Sequence, residues 1–148
     1  MNATFTDTAN PSTVVETPTE HRPRVLFVDD EPLLARLGKE LLRRMGYDPV
    51  TVTCPVEALE LFRAQPFDAI ITDLTMPRMS GIEFARAIQA THPSVPIVLT
   101  TAFHQKLEGQ TAAGLGFSAL LPKPYSAKTL GEAIQRALIT PPKATPMN

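Results

Sequence analysis

Three short stretches of this chain, Val25-Leu26-Phe27-Val28, Ala69-Ile70-Ile71 and Ile97-Val98-Leu99, are apolar at consecutive positions rather than at alternate ones. A strand of that kind has both faces out of water, which in a sheet calls for helices on either side and parallel pairing. The segments between the strands supply those helices. Pro32 opens a pattern in which Leu34, Leu37, Leu41 and Met45 recur at helical spacing, until Gly46 supplies a C-terminal stop. Pro55 opens a second, with Ala58, Leu59, Leu61 and Phe62. Ser80 and Glu83 have the spacing of a capping box ahead of Phe84, Ala85 and Ile88, in a helix that ends near His92 and Pro93. Ser126 caps a last helix with Leu130, Ile134, Ala137 and Leu138 on one face. Two lesser strands complete the set: residues 48–53, where Val50 and Val52 alternate with threonines as at a sheet edge, and Ala119-Leu120-Leu121. Residues 104–116 read as a poor helix, interrupted by Gly109 and Gly114. Five alternating units predict an α/β fold, a doubly wound five-stranded parallel sheet with helices on both faces. The pattern does not fix the strand order.

The polar residues fall at the ends of these strands. The first runs into Asp29, Asp30 and Glu31, the third into Asp73, the fourth into Thr101, and Lys123 lies just beyond the fifth. In a parallel sheet all of these ends emerge along one edge, the edge at which α/β proteins bind ligands. Taken singly, each has a plain structural role: the acid pair favours a helix N-terminus, the threonine ends a strand and the lysine is solvated. Together they describe a site. Carboxylates packed side by side repel, and a hard divalent cation such as Mg²⁺ relieves the conflict. Three carboxylates, one Mg²⁺ and one lysine come to zero charge, a balance able to accept a phosphoryl group. Phosphoryl transfer needs little beyond positioning and charge stabilisation, with Asp73 as nucleophile and Lys123 and the Thr101 hydroxyl holding phosphoryl oxygens.

Other classes recede. With 148 residues and a net charge of −1, the basic residues scattered, the chain has one domain of ordinary size and no nucleic-acid or membrane surface is expected. The single cysteine, Cys54, rules out an internal disulfide, and a buried structural thiol is the expected role. Neither a signal-peptide pattern nor an apolar run of membrane-spanning length is present, so a soluble, cytoplasmic protein is expected. Residues 1–22, threonine-rich and poor in large apolar groups, read as a flexible extension, residues 23–140 as the folded domain, and residues 141–148 as a flexible tail. A flavodoxin-type flavin carrier would need a Ser/Thr/Gly-rich phosphate loop where this chain has Asp29-Asp30-Glu31-Pro32. A haloacid-dehalogenase-type phosphatase would need DxDx[TV], and Thr75 stands two places after Asp73.

With LFVDDE, ITDLTMPRMSG, IVLTTA and LLPKPY in that order, the chain resembles a response-regulator receiver domain over about residues 23–140. The resemblance implies strand order 2-1-3-4-5 and a single-domain phosphoacceptor of two-component or phosphorelay signalling. In that role Asp73 takes a phosphoryl group from a histidine kinase or a phosphotransfer protein. It further implies Asp30, Asp73 and the main-chain carbonyl of Thr75 as ligands of Mg²⁺ (or Mn²⁺), with Asp29 close by or acting through water. The switch hydroxyl falls on Thr101 rather than Thr100, and a cis bond is expected between Lys123 and Pro124. No turnover of external substrates is expected, only self-phosphorylation and slow dephosphorylation. The output is contact with a downstream protein target, on the face made by residues 104–116, the fifth strand and the last helix, with phosphorylation-dependent dimerisation left open. Two positions depart from the family pattern: Leu120 stands where many members have Tyr or Phe, and Phe103 is large and apolar near the site. Leu120 keeps a second reading open, a receiver-like interaction module that never uses phosphate.

Overall fold

A computed structural model of the chain describes residues 21–102 and 113–139. Within them, β1 (Arg24–Val28), β2 (Asp48–Val52), β3 (Ala69–Asp73), β4 (Ile97–Thr101) and β5 (Ala119–Pro122) alternate with α1 (Pro32–Arg44), α2 (Pro55–Ala64), α3 (Gly81–Gln89) and α4 (Ala127–Ile139). Among the described residues, a 3₁₀ turn at Ala113–Leu115 precedes β5. The sheet is parallel throughout and its order is β2-β1-β3-β4-β5. This is the 2-1-3-4-5 doubly wound arrangement. β3 is buried along its whole length, as its uninterrupted apolar pattern requires.

Each face of the sheet carries its own core. On one, Leu26, Val28, Ile70 and Leu99 meet Ala58 and Phe62 of α2 and Phe84, Ala85 and Ile88 of α3. On the other, Val25, Phe27, Ile71 and Val98 meet Leu42 of α1 and Leu130, Ile134 and Ala137 of α4. Successive residues of one strand thus go to opposite cores, the period of two that makes a central strand apolar at every position.

The helix starts follow their sequence signals. Pro32 and Pro55 each sit in the first turn of a helix. The Ser80 hydroxyl accepts the Glu83 N–H at 3.1 Å while the Glu83 carboxylate accepts the Ser80 N–H at 3.0 Å, a complete capping box. At the far end of α1, Gly46 takes φ +97°, where a side chain would be strained. The buried side of α1 differs from its leucine periodicity. Ala35, Gly38 and Leu42 face inward, Leu34 and Leu41 flank them half-buried, and Leu37 is 48% exposed. The reason is Phe27, whose ring lies where a Cβ on Gly38 would be, so the large partner comes from the strand and the small one from the helix. Helix α3 ends at Gln89, ahead of His92 and Pro93. Cys54 is half-buried at the N-cap of α2 rather than fully enclosed. Most of residues 104–116, read above as a poor helix, lie outside the described residues, as does Phe103.

Candidate functional site

At the carboxyl edge of the sheet, adjacent strand ends fix the acids. Asp29 follows β1 directly, and its N–H donates to the Val52 carbonyl at 3.2 Å, carrying the β1–β2 ladder one residue further. Its Oδ1 accepts the Glu31 N–H at 3.0 Å. Asp73 closes β3, and its Oδ1 accepts the N–H of Leu74 at 2.9 Å. One carboxylate oxygen each from Asp29, Asp30 and Asp73 falls within 4.8 Å of the others. Asp29 and Asp73 are buried, at 1% and 7% exposure, whereas Asp30 is half-exposed.

Lys123 arrives from beyond β5, 94 positions from Asp29 in the chain. Its N–H donates to the Thr101 carbonyl at 2.8 Å, so the ends of β4 and β5 are tied together. Its ammonium lies 3.1 Å from Asp29 Oδ2 and 3.2 Å from Asp73 Oδ1. The Lys123–Pro124 bond is cis. Thr101 ends β4 almost wholly buried, and Thr100 pairs in register with Asp73. Thr75 is exposed in the loop after β3, two residues beyond Asp73.

Burial pushes the Asp73 carboxyl above the usual carboxylate range, and the charge of Asp29 adds to the rise against the pull of Lys123 and the Leu74 N–H. For Lys123, burial by itself favours the neutral amine. The hydrogen bonds and charges of Asp29 and Asp73 outweigh it and raise the ammonium above its ordinary value. One ammonium therefore bridges two buried carboxylates with a third beside them, and negative charge is left in excess. Clustered oxygen donors with surplus charge fit a hard divalent cation and suit Mg²⁺ well.

Two contributors carry weaker signals in the sequence. Gly81, the first residue of α3, donates its N–H to the Leu74 carbonyl at 2.7 Å, and a Cβ there would collide with the main-chain oxygen of Asp73. The loop that brings the acid to the edge therefore needs glycine at this place. Tyr125 lies near the acids as well. Burial, then the charges of Asp29 and Asp73, push its phenol up to about 12. Its place two residues after Lys123 is the only cue the sequence offers. Asp29, Asp30, Asp73 and Lys123 thus converge as their strand-end positions predict, Thr101 sits at the neighbouring strand end, and Thr75 borders the group through the β3 loop.

A doubly wound sheet of this order, with acids at the ends of β1 and β3 and a lysine after β5, defines a class of signalling module. Residues 25–135 match the response regulator receiver domain, and the chain belongs to that family. It is 34% identical over 117 residues to the response regulator protein PilR of Pseudomonas aeruginosa, an alignment covering 79% of this chain and 26% of PilR. The chain thus spans about a quarter of that relative's length. The chemotaxis response regulator CheY4 of Vibrio cholerae superposes with a TM-score of 0.74 at 31% identity, covering 80% of this chain and 100% of that one. The response regulator TrrA of Thermotoga maritima, solved in complex with Mg²⁺-BeF, superposes with a TM-score of 0.71 at 31% identity, covering 78% of this chain and 99% of that one.

Proposed function

We propose that this chain is the phosphoacceptor of a two-component or phosphorelay system, with Asp73 as the acceptor. The observation that carries the reading is the Lys123 ammonium bridging Asp29 Oδ2 and Asp73 Oδ1 at 3.1 and 3.2 Å, beside a third carboxylate. A carboxylate oxygen of Asp73 attacks phosphorus in line. The bond from phosphorus to the donor nitrogen, or to the oxygen of a small acyl phosphate, breaks, and its electron pair leaves with the donor. Lys123 pairs with the arriving phosphoryl oxygens, and the Thr101 hydroxyl donates to one of them. Asp30, Asp73 and the Thr75 carbonyl would hold Mg²⁺ or Mn²⁺, with Asp29 acting nearby or through water. When bound, the cation supplies the positive charge that the three carboxylates and the phosphoryl oxygens together lack.

Family membership and the TrrA complex with Mg²⁺-BeF support this assignment. The donor is a histidine kinase or a histidine phosphotransfer protein. The phosphorylated domain, residues 23–140, switches a downstream protein in the cytoplasm and turns over no external substrate. Among the described residues no helix is long and apolar enough to cross a membrane.

Intact-mass spectrometry after incubation with acetyl phosphate and Mg²⁺ tests the reading. A single phosphoryl adduct is expected, absent without Mg²⁺ and absent from Asp73→Asn. If the wild type stays unlabelled beside a receiver of known activity labelled in parallel, a panel of histidine kinases follows: labelling by one of them shows strict dependence on a cognate phosphodonor protein, and no labelling by any leaves the acid–lysine cluster as a structural feature of an interaction module.

A further inference from the structure

Two leucines of α1 face away from the core. Leu33 is 73% exposed and Leu37 is 48% exposed, and at a spacing of four residues they stand together on the side of the helix opposite Ala35, Gly38 and Leu42. Exposed arginines follow on that outer side, Arg36, Arg43 and Arg44, with Lys39 half-buried at its margin. Glu40 is the one acid of the helix, and its carboxylate already lies 3.5 Å from Arg44. Among the described residues Arg36, Lys39 and Arg43 pair with no acid. Two leucines set in surplus positive charge, on a chain whose net charge is −1, make a surface that suits an acidic partner with apolar side chains.

Such a partner stands in the chain itself. Residues 1–20, which lie outside the described residues, contain Asp7, Glu16 and Glu20, no Lys, Arg or His, and the adjacent pair Val14 and Val15. Residues 140–148 carry Lys143 and no acid, so charge selects the N-terminal segment over the C-terminal one. That segment joins the fold beside the helix: the Pro23 carbonyl accepts the Asp48 N–H at 2.9 Å, and Asp48 lies four residues past Arg44, where α1 ends. From Arg44 to Leu33 the helix rises about 17 Å, at about 1.5 Å per residue. An extended chain covers about 3.3 Å per residue, so the run from Pro23 back to Val15 reaches about 26 Å. On that scale Glu20 falls beside Arg43 and Arg44, Glu16 beside Arg36, and Val14 and Val15 over Leu37 and Leu33. We propose that residues 14–20 dock along the outer side of α1, running from its C-terminal end toward the acid cluster. Singly such contacts are weak, and attachment to the same chain sustains them by raising the local concentration of the segment. Leu33 comes three residues after Asp30, so the docked segment ends beside the cluster and leaves its carboxylates open. With Asp73 as acceptor, a small acyl phosphate then enters freely, whereas a donor protein approaching along α1 first displaces the segment. That consequence rests on the acceptor reading; the docking does not.

Paramagnetic relaxation in the full chain tests the placement. Cys54→Ser removes the one native thiol and leaves a residue well suited to the N-cap of α2. Thr13→Cys then carries a nitroxide label beside the two valines. In dilute buffer the amide signals of Leu33, Arg36 and Leu37 are expected to lose intensity, while those of α2 and α3, on the opposite face of the sheet, keep theirs. In about 0.5 M salt, where charges are screened within a few ångströms, the loss is expected to disappear. It should disappear as well when Arg36→Glu with Arg43→Glu reverses the charge, and when Val14→Ser with Val15→Ser removes the apolar contact. Even broadening over the whole surface would overturn the proposal, as would broadening centred on the groove at Met45, Tyr47 and Gly131 between α1 and α4. Loss passed from a spin-labelled chain to a separate isotope-labelled chain would overturn it too, because the occupant would then be a second copy. Acetyl phosphate labelling of the same protein decides the acceptor reading separately, since the broadening pattern requires no phosphoryl group.

Discussion

The ammonium of Lys123 sits between Asp29 Oδ2 and Asp73 Oδ1, 3.1 and 3.2 Å away, with a side chain only 15% exposed. Two buried carboxylates from different strands thus share one counter-charge, and the cluster as a whole stays negative. Whatever removes that cation leaves like charges facing each other where water cannot screen them.

Lys123→Met is therefore expected to destabilise the metal-free protein by about 3 kcal/mol, the usual scale for breaking a buried ion pair from one side. Millimolar Mg²⁺ should recover most of the loss, since a cation bound only by the native state adds stability by mass action. Urea unfolding in chelator and in Mg²⁺ checks both halves. Equal destabilisation in the two buffers would show that the lysine acts through packing and not through charge.

Burial raises the Asp73 carboxyl above its ordinary value, and this sets a pH dependence. The native state binds this proton more tightly than the unfolded chain does, whose aspartates titrate near 3.9. As pH falls from neutral through the raised value, the native state is relieved of an unfavourable buried charge, and this contribution to stability grows until both states are protonated. Lys123 has its own value raised, so its contribution is lost only in strongly alkaline solution and leaves this window untouched. In metal-free buffer the stability of wild type relative to Asp73→Asn should thus increase on acidification. A difference independent of pH between 7 and 4 would contradict it.

Ser80 couples local sequence to the placement of the site, because α3 begins where the acceptor loop ends. Ser80→Ala removes the hydroxyl that accepts the Glu83 N–H at 3.1 Å and should cost about 1 kcal/mol in thermal or urea unfolding. Phosphoryl labelling by acetyl phosphate should remain within about twofold of wild type, as the cap touches neither Asp73 nor Lys123.

The parts of the fold that rest on pattern were readable in the chain: consecutive apolar residues for central strands, Pro32 and Pro55 for helix starts, Ser80 with Glu83 for a cap. The strand-end acids and Lys123 were readable for the same reason, since parallel topology alone brings those positions to one edge. What depends on the shape of a partner was not. The periodicity of α1 names Leu37, whereas Gly38 faces the sheet because the Phe27 ring needs the room. Cys54 stops at a half-buried cap because the chain turns there into α2. Tyr125 reads as one more aromatic until its half-buried ring is seen packed against the core under α1 and α4 with its hydroxyl oxygen buried.

Two glycines with the same bulk constraint separate stability from chemistry. A Cβ on Gly38 meets the Phe27 ring, a buried side chain that must shift, whereas a Cβ on Gly81 meets the main chain of Asp73 and Leu74, which positions the acceptor. Overpacking of this kind costs about 1–3 kcal/mol, so Gly38→Ala and Gly81→Ala should both lower the urea midpoint. Only Gly81→Ala should also weaken Mg²⁺ binding and slow labelling, by about tenfold or more, because the strain is relieved by displacing the Asp73 carbonyl and the loop behind it. Calorimetric Mg²⁺ titration of the two variants decides the matter. Equal Mg²⁺ affinities would mean that the loop after β3 yields without moving the carboxylate, and that the close approach at Gly81 serves packing alone.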